Sequence, residues 1–305
     1  MTAPPAVLAA PAPSDPGAAL TRRRVRVGET LFRLALLSCL VVAFAFLVWI
    51  VAFAIYRGWD RLDARLWENM PTGRVSRIEG AGVQSAITGT LWVIGTTALI
   101  CLPIGILAAI YLEEYANNER WYNRLLELNI QNLAGVPSII FGILGLGVIA
   151  RAMGLGFTVL TASLILALLV LPIVIIATRE AIRAVPQSIR QASYALGATR
   201  WQTISRQVLP IAVPGIATGS ILALSRAIGE AAPLIMLGAV TYITFNPNGL
   251  DSAYTVLPVQ IFSLVIEAQA GFQRLGAAAI VLLLGLLLLM NSLAIVVRNR
   301  FQKRW

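Results

Sequence analysis

Residues 186 to 210 read Pro186-Gln-Ser-Ile189-Arg-Gln191-Ala192-Ser193-Tyr-Ala-Leu196-Gly197-Ala-Thr199-Arg200-Trp201-Gln202-Thr-Ile204-Ser-Arg-Gln-Val208-Leu209-Pro210. Their punctuation predicts two short amphipathic helices meeting at a glycine. Pro186 suits a first helical turn, Ile189, Ala192 and Leu196 share one face, and Gly197 supplies a permissive stop. Thr199 opens the second helix, with Gln202 three residues on completing a capping-box pattern. Trp201, Ile204 and Val208 form its stripe, and Pro210 closes it. Local physics fits such a hairpin equally to a membrane surface or to a docking groove on another protein.

Outward from this stretch the chain is strongly apolar: 58% hydrophobic, 12% charged, with a mean hydropathy of +0.80 over 305 residues. A soluble domain is closer to one quarter charged. Apolar runs near the ~20 residues that cross a bilayer recur at about 34–56, 86–111, 130–150, 156–178, 211–240 and 272–297. They predict an all-α membrane protein of about six transmembrane helices. Residues 1–33 read as a disordered Ala/Pro-rich and then basic N-terminal tail, and 34–56 as the first span. Residues 57–85 read as an external loop, 86–297 as the transmembrane core, and 298–305 as a basic tail. Most arginines flank the spans on one side, placing both termini and the 179–210 loop in the cytoplasm. Arg57, Arg61, Arg65, Arg74 and Arg77 in the loop assigned outside run against this. The segment 241–271 predicts an external loop with a short amphipathic or re-entrant helix.

Composition excludes several chemistries. There is no histidine, and Cys39 and Cys101 lie in apolar runs far from any metal-spaced cluster. The sole lysine, Lys303, is followed by Arg304, so no Gly-x-x-x-x-Gly-Lys-Ser/Thr phosphate loop exists in this sequence. If ATP drives the protein, another subunit binds the ATP and Mg, and this chain needs no cofactor of its own. The basic residues behind the net charge of +10 sit mostly in loops and tails, where they set topology rather than marking nucleic-acid binding.

The run Gln191-Ala192-Ser193-x-x-x-Gly197 with Leu209-Pro210 resembles the Glu-Ala-Ala-x-x-x-Gly…Ile-x-Leu-Pro signature of binding-protein-dependent ABC importer permeases. It departs at Gln191, Ser193 and Gln207. Four further stretches are similar to the phosphate-specific permease pair: 110–116, 129–138, 194–201 and 225–234. Ala232-Pro233-Leu234 resembles its PstA member more than its PstC member. The resemblance covers roughly 80–297 and implies a type I importer permease fold. Gln191, Ala192, Ser193, Gly197, Thr199, Arg200, Leu209 and Pro210 would then form a coupling helix docked on the ATPase. The implied partners are a PstC-like permease, a PstB-like ATPase dimer, an extracytoplasmic PstS-like phosphate-binding protein and the lipid bilayer. The chain itself would be a transport subunit and not an enzyme. Carriage of sulfate or molybdate by the same mechanism, and an ATP-independent anion channel or secondary transporter, are the alternatives.

In the fifth run Arg226 and Glu230 stand four residues apart, hence on one helical face. A charge at membrane depth normally faces a cavity or a partner. One reading is a self-neutralised packing pair. The other is an arginine on the anion pathway, its planar fork matched to an oxyanion, with Glu230 tuning it. Gly219 and Ala223 lie on the same side, and Pro214, Gly215, Gly229 and Pro233 predict a bent or discontinuous helix. Asn129, Gln131, Asn132 and Ser138 predict interhelical hydrogen bonds, and Gly142, Gly145 and Gly147 close helix packing.

Overall fold

The computed structural model describes residues 27–117, 119–239 and 242–301. The tail expected to be disordered lies outside these up to residue 26, as do the last four residues of the basic C-terminal tail. The chain divides into two compact units, residues 1–50 and 51–305. The helix α1, Val27–Gly58, begins in the first. It extends past the expected 34–56 at both ends, with Glu29 in its first turn where a carboxylate complements the helix dipole. Within the first unit its large apolar side chains are exposed on every side, and Phe46 stacks on Trp49 at 5.7 Å. A helix apolar all round suits lipid or a buried site rather than water.

The second unit continues with 3₁₀ turns at Trp59–Arg61 and Val75–Gly80 flanking α2, Arg65–Glu68. Buried Arg61 donates to the carbonyls of Ile78 (2.9 Å), Glu79 (2.9 Å) and Ala81 (2.7 Å). One of the five arginines that contradicted the charge rule is therefore a staple within its own loop.

The spans follow. The helix α3, Gln84–Ile110, widens into a π-helical turn at Tyr111–Tyr115. Next come α4, Trp121–Ala134, and α5, Ser138–Leu144, which continues as a π-helix over Gly145–Ala152. Then come α6, Val159–Arg183; the hairpin helices α7, Gln187–Ala195, and α8, Arg200–Thr203; and a π turn at Ile204–Val208 leading into α9, Leu209–Gly229. The chain ends with α10, Ala232–Leu237, α11, Leu257–Ile266, and α12, Ala270–Phe301. Among the described residues five helices are long and apolar enough to cross a membrane, six if the bent pair α4 and α5 is one span.

Two expected spans are broken. The run 130–150 is not one helix, because α4 and the α5 segment meet at 105°. Pro137 has no N–H to continue α4 and pushes the preceding residue out of helical geometry. Asn129 bonds its own helix, donating to the Leu125 carbonyl at 2.9 Å, rather than a neighbouring one. The run 211–240 ends its first helix at Gly229, and Glu230 is extended (φ −80°, ψ 110°) before α10 starts. The 241–271 segment does carry the expected short helix, α11.

The core lies where α3 and α6 run parallel. Ser163 donates to the Val93 carbonyl at 3.1 Å, and one end further on a Cβ on Gly105 would stand 2.7 Å from Val174 Cγ1. Buried Val93, Cys101, Ile165, Leu166, Val170 and Val174 fill the interface. The helix α9 returns antiparallel, Gly215 facing Ala181 and Gly219 facing Ala177. Antiparallel to α9 runs α12, with Ser225 donating to Asn291 at 2.5 Å and Arg298 to Thr218 at 3.0 Å. One end of the bundle thus gathers the C-termini of α3, α6 and α12 with the start of α9, and from that end the hairpin projects.

Candidate functional site

The first helix, its stop at Gly197 and the capping box form as the sequence predicts, but Pro210 does not close the second helix: α8 passes through the π turn into α9, and Arg200–Gly229 is helical throughout. The Thr199 hydroxyl accepts from the Gln202 N–H at 3.3 Å, and the Gln202 side chain accepts from the Thr199 N–H at 2.8 Å. Gly197 adopts φ +79°, in the left-handed region open to glycine, and nothing lies within 4 Å of where its Cβ would be. Ser193 and Thr203 hydroxyls bond across the hairpin at 2.9 Å. Ile204 and Val208 are buried with Ile110, Ile182 and Ile216, seating the hairpin on the bundle. Its far side is open: Leu196 is 89% exposed, and Tyr194 and Trp201 are exposed beside it. A cavity of about 530 Å³ is lined by Ile189, Ala192, Ser193, Gly197, Gln202 and Arg206, among others. Gln191 is exposed and Leu209 half-buried, while Pro210 stands in the first turn of α9. From Ala181 to Gly229 the chain has no acidic residue, so this exposed surface is apolar and cationic.

Beneath the hairpin lies a charge cluster that spacing alone did not single out. Glu113 accepts from Arg179 (3.2 Å) and from Arg183 (2.9 Å), and Arg179 also pairs with Glu127 of α4 at 2.9 Å. Glu114 pairs with Arg190 of α7 at 2.9 Å, both side chains under 10% exposed. Arg190 donates further to the carbonyls of Val185 (2.6 Å) and Ile182 (3.0 Å). Arg200 donates to the Glu114 carbonyl and stands 5.0 Å from the centre of the Tyr115 ring. Its guanidinium is engaged within the chain. The available signal was two adjacent acids ending an apolar run, with arginines spaced along the 179–200 loop.

At the other half of α9, Arg226 Nε donates to Glu230 Oε1 at 3.3 Å. The pair straddles the break between α9 and α10 rather than lying along one continuous helix. Arg226 is 55% exposed and Glu230 only 17%. The arginine therefore has donors left for another acceptor. Gly219 and Ala223 are buried against neighbouring helices, so close packing accounts for their size. Gly142 likewise lies against Pro233 of α10, where a Cβ would meet the Pro233 carbonyl at 2.6 Å.

A membrane bundle presenting a capped two-helix hairpin at one end defines a permease component of a transport system. The family described as "Binding-protein-dependent transport system inner membrane component" matches residues 101–305, and the chain belongs to it. The phosphate transport system permease protein PstA 1 of Mycobacterium tuberculosis (strain ATCC 25618 / H37Rv) is 34% identical over 267 residues, 86% of this chain and 84% of that one. PstA of Yersinia pestis is 34% identical over 251 residues, 82% of this chain and 83% of that one. Among solved structures, a bacterial ABC transporter importing the acidic polysaccharide alginate aligns with a TM-score of 0.59 at 20% identity, covering 91% of this chain and all of that one. An inward-facing MetNI methionine ABC transporter aligns at 0.56 and 20%, covering 72% and 97%. These two bear on the fold alone.

Proposed function

We propose that this chain is the transmembrane permease subunit of an ATP-driven importer that carries inorganic phosphate across the plasma (inner) membrane. The observation that carries the importer class is the exposed capped hairpin at Gly197, a projection from the bundle that a channel or gradient-driven carrier does not need. Phosphate as cargo rests on the likeness to PstA proteins and on Arg226, whose guanidinium keeps free donors at a helix break. Guanidinium presents paired N–H groups that fit two oxygens of a tetrahedral oxyanion.

In this reading the hairpin docks on a cytoplasmic PstB-like ATPase dimer, which binds ATP and Mg and performs the hydrolysis. Leu196, Tyr194 and Trp201 supply the apolar contact, and Arg206 meets an acidic group on the ATPase, since the hairpin offers no carboxylate of its own. A PstC-like permease completes the pore, and a PstS-like binding protein delivers phosphate at the opposite end. Both termini are cytoplasmic. Closure of the ATPase on ATP displaces the hairpin and exposes the Arg226 region outward; hydrolysis returns it.

The test is uptake of labelled phosphate and of sulfate in a strain lacking only this chain, with and without the chain restored. Phosphate uptake should fall and return while sulfate uptake stays level. Loss of sulfate uptake with phosphate untouched would overturn the cargo, and uptake that persists without ATP would overturn the class.

A further inference from the structure

The π-helical turn that extends α3, Tyr111–Tyr115, carries two adjacent acids, and each holds a different part of the molecule. We infer that Glu113 and Glu114 make this turn the link through which displacement of the hairpin reaches the bundle, with Arg190 as the positioning residue that fastens the hairpin to it. The inference rests on the reading of the hairpin as the ATPase-docking element.

Both hairpin helices are tied to α3 across long stretches of chain: α7 by the Arg190 to Glu114 pair at 2.9 Å, and α8 by Arg200 on the Glu114 carbonyl. The Arg190 guanidinium also holds the carbonyls of Ile182 and Val185, so three acceptors fix its orientation. Both side chains of the pair are buried, so separating them strands an uncompensated charge, which is strongly unfavourable. The pair therefore stays closed when the hairpin is pushed, and the end of α3 moves with it. Glu113 carries the motion sideways. It grips Arg179 and Arg183 of α6, and Arg179 also holds Glu127 of α4. Beyond its 105° turn α4 leads to α5, whose Gly142 rests against Pro233, three residues past Glu230. The chain of contacts thus ends at the Arg226 break. The competing route is the backbone itself, since the hairpin is continuous with α6 and α9.

The experiment uses the whole transporter in proteoliposomes with its binding protein, and measures phosphate imported per ATP hydrolysed for the wild type, Arg190→Lys, Glu114→Gln and Arg190→Met. The ratio should fall in that order, by at least about five-fold in Glu114→Gln, the low end of a typical coupling between sites, while hydrolysis continues. A wild-type ratio in assembled Glu114→Gln would overturn the link and leave the backbone route. Should Arg190→Met fail to assemble, spin labels at Gln187 and Tyr111, both exposed, decide the matter. Their separation in an otherwise wild-type complex should hold between the nucleotide-free and ATP-trapped states and should broaden with Glu114→Gln. A shift of several ångströms between the two states overturns the proposal. Hydrolysis by the wild type that phosphate delivery does not stimulate would instead refute the importer reading, whatever the variants do.

Discussion

Arg226 and Glu230 illustrate how one ion pair supports two physical accounts. If the pair only packs, removing either partner leaves an unneutralised charge, and the neutral double variant Arg226→Met, Glu230→Leu should restore assembly and transport together. Arg226 is more than half exposed while its partner is largely covered, which favours the other account. The double variant is then expected to assemble yet carry no phosphate, and Arg226→Lys to transport poorly, because a point charge does not reproduce the planar fork. Phosphate uptake normalised to assembled complex distinguishes these outcomes; near-normal uptake by the double variant would leave the pair as structure only. At the same scale, Arg200 shows what spacing conceals. Read from sequence it belongs to the coupling surface; the residue is exposed, and its guanidinium also lies on the Glu114 carbonyl and the Tyr115 ring, a contact that spacing does not reveal.

At the scale of elements, the hairpin turn and the α6 to α9 contact invite opposite tests of glycine. Gly197 has open space where a Cβ would go but a φ of +79°. Gly197→Val should therefore act through the backbone alone, costing about 1–2 kcal/mol and disturbing the hairpin's shape. Gly197→Asn should be milder, since asparagine enters this region more readily. The expected readout is loss of transport and of transport-linked ATP hydrolysis in the valine variant, with membrane insertion unchanged. Gly219 presents the reverse case: its backbone is ordinary helix, but a Cβ would collide with Ala177 of α6. Gly219→Val should overpack that contact at about 1–3 kcal/mol, read as a lower unfolding temperature of the purified complex. An unchanged unfolding temperature would mean that the two helices separate freely.

For the whole molecule, the antiparallel return of α9 and α12 places the hairpin and the α12 C-terminus at one end. Reporter fusions after Trp305 and within the 187–199 hairpin should accordingly read the same side, together with one at Gly17, and a fusion near Thr72 the other. A Thr72 fusion reading with the hairpin would overturn the proposed topology. The five arginines of the 57–85 loop weigh less against that topology than their number suggests, because Arg61 is occupied with three carbonyls of its own loop.

Read along the chain, the membrane class, the approximate spans and the hairpin with its cap and its left-handed glycine were all legible, because each depends on local quantities: apolar run length, capping chemistry and the conformational freedom of one residue. The breaks after α4 and α9 were only partly so. Proline and glycine mark a weak point in a helix, but whether the chain kinks, and by 105°, depends on what the second half can pack against. For α5 and its π-helical continuation that surface, against Gly142 and Gly145, is Pro233 and Ile165, which are distant in sequence. The partners of the acidic hub lay beyond local reading, although the two adjacent acids ending an apolar run were visible. Glu113 and Glu114 find Arg179, Arg183 and Arg190 some 66 to 76 residues away, and only the parallel packing of α3 on α6 brings those charges together, with the Glu114–Arg190 pair buried and Arg183 still half exposed.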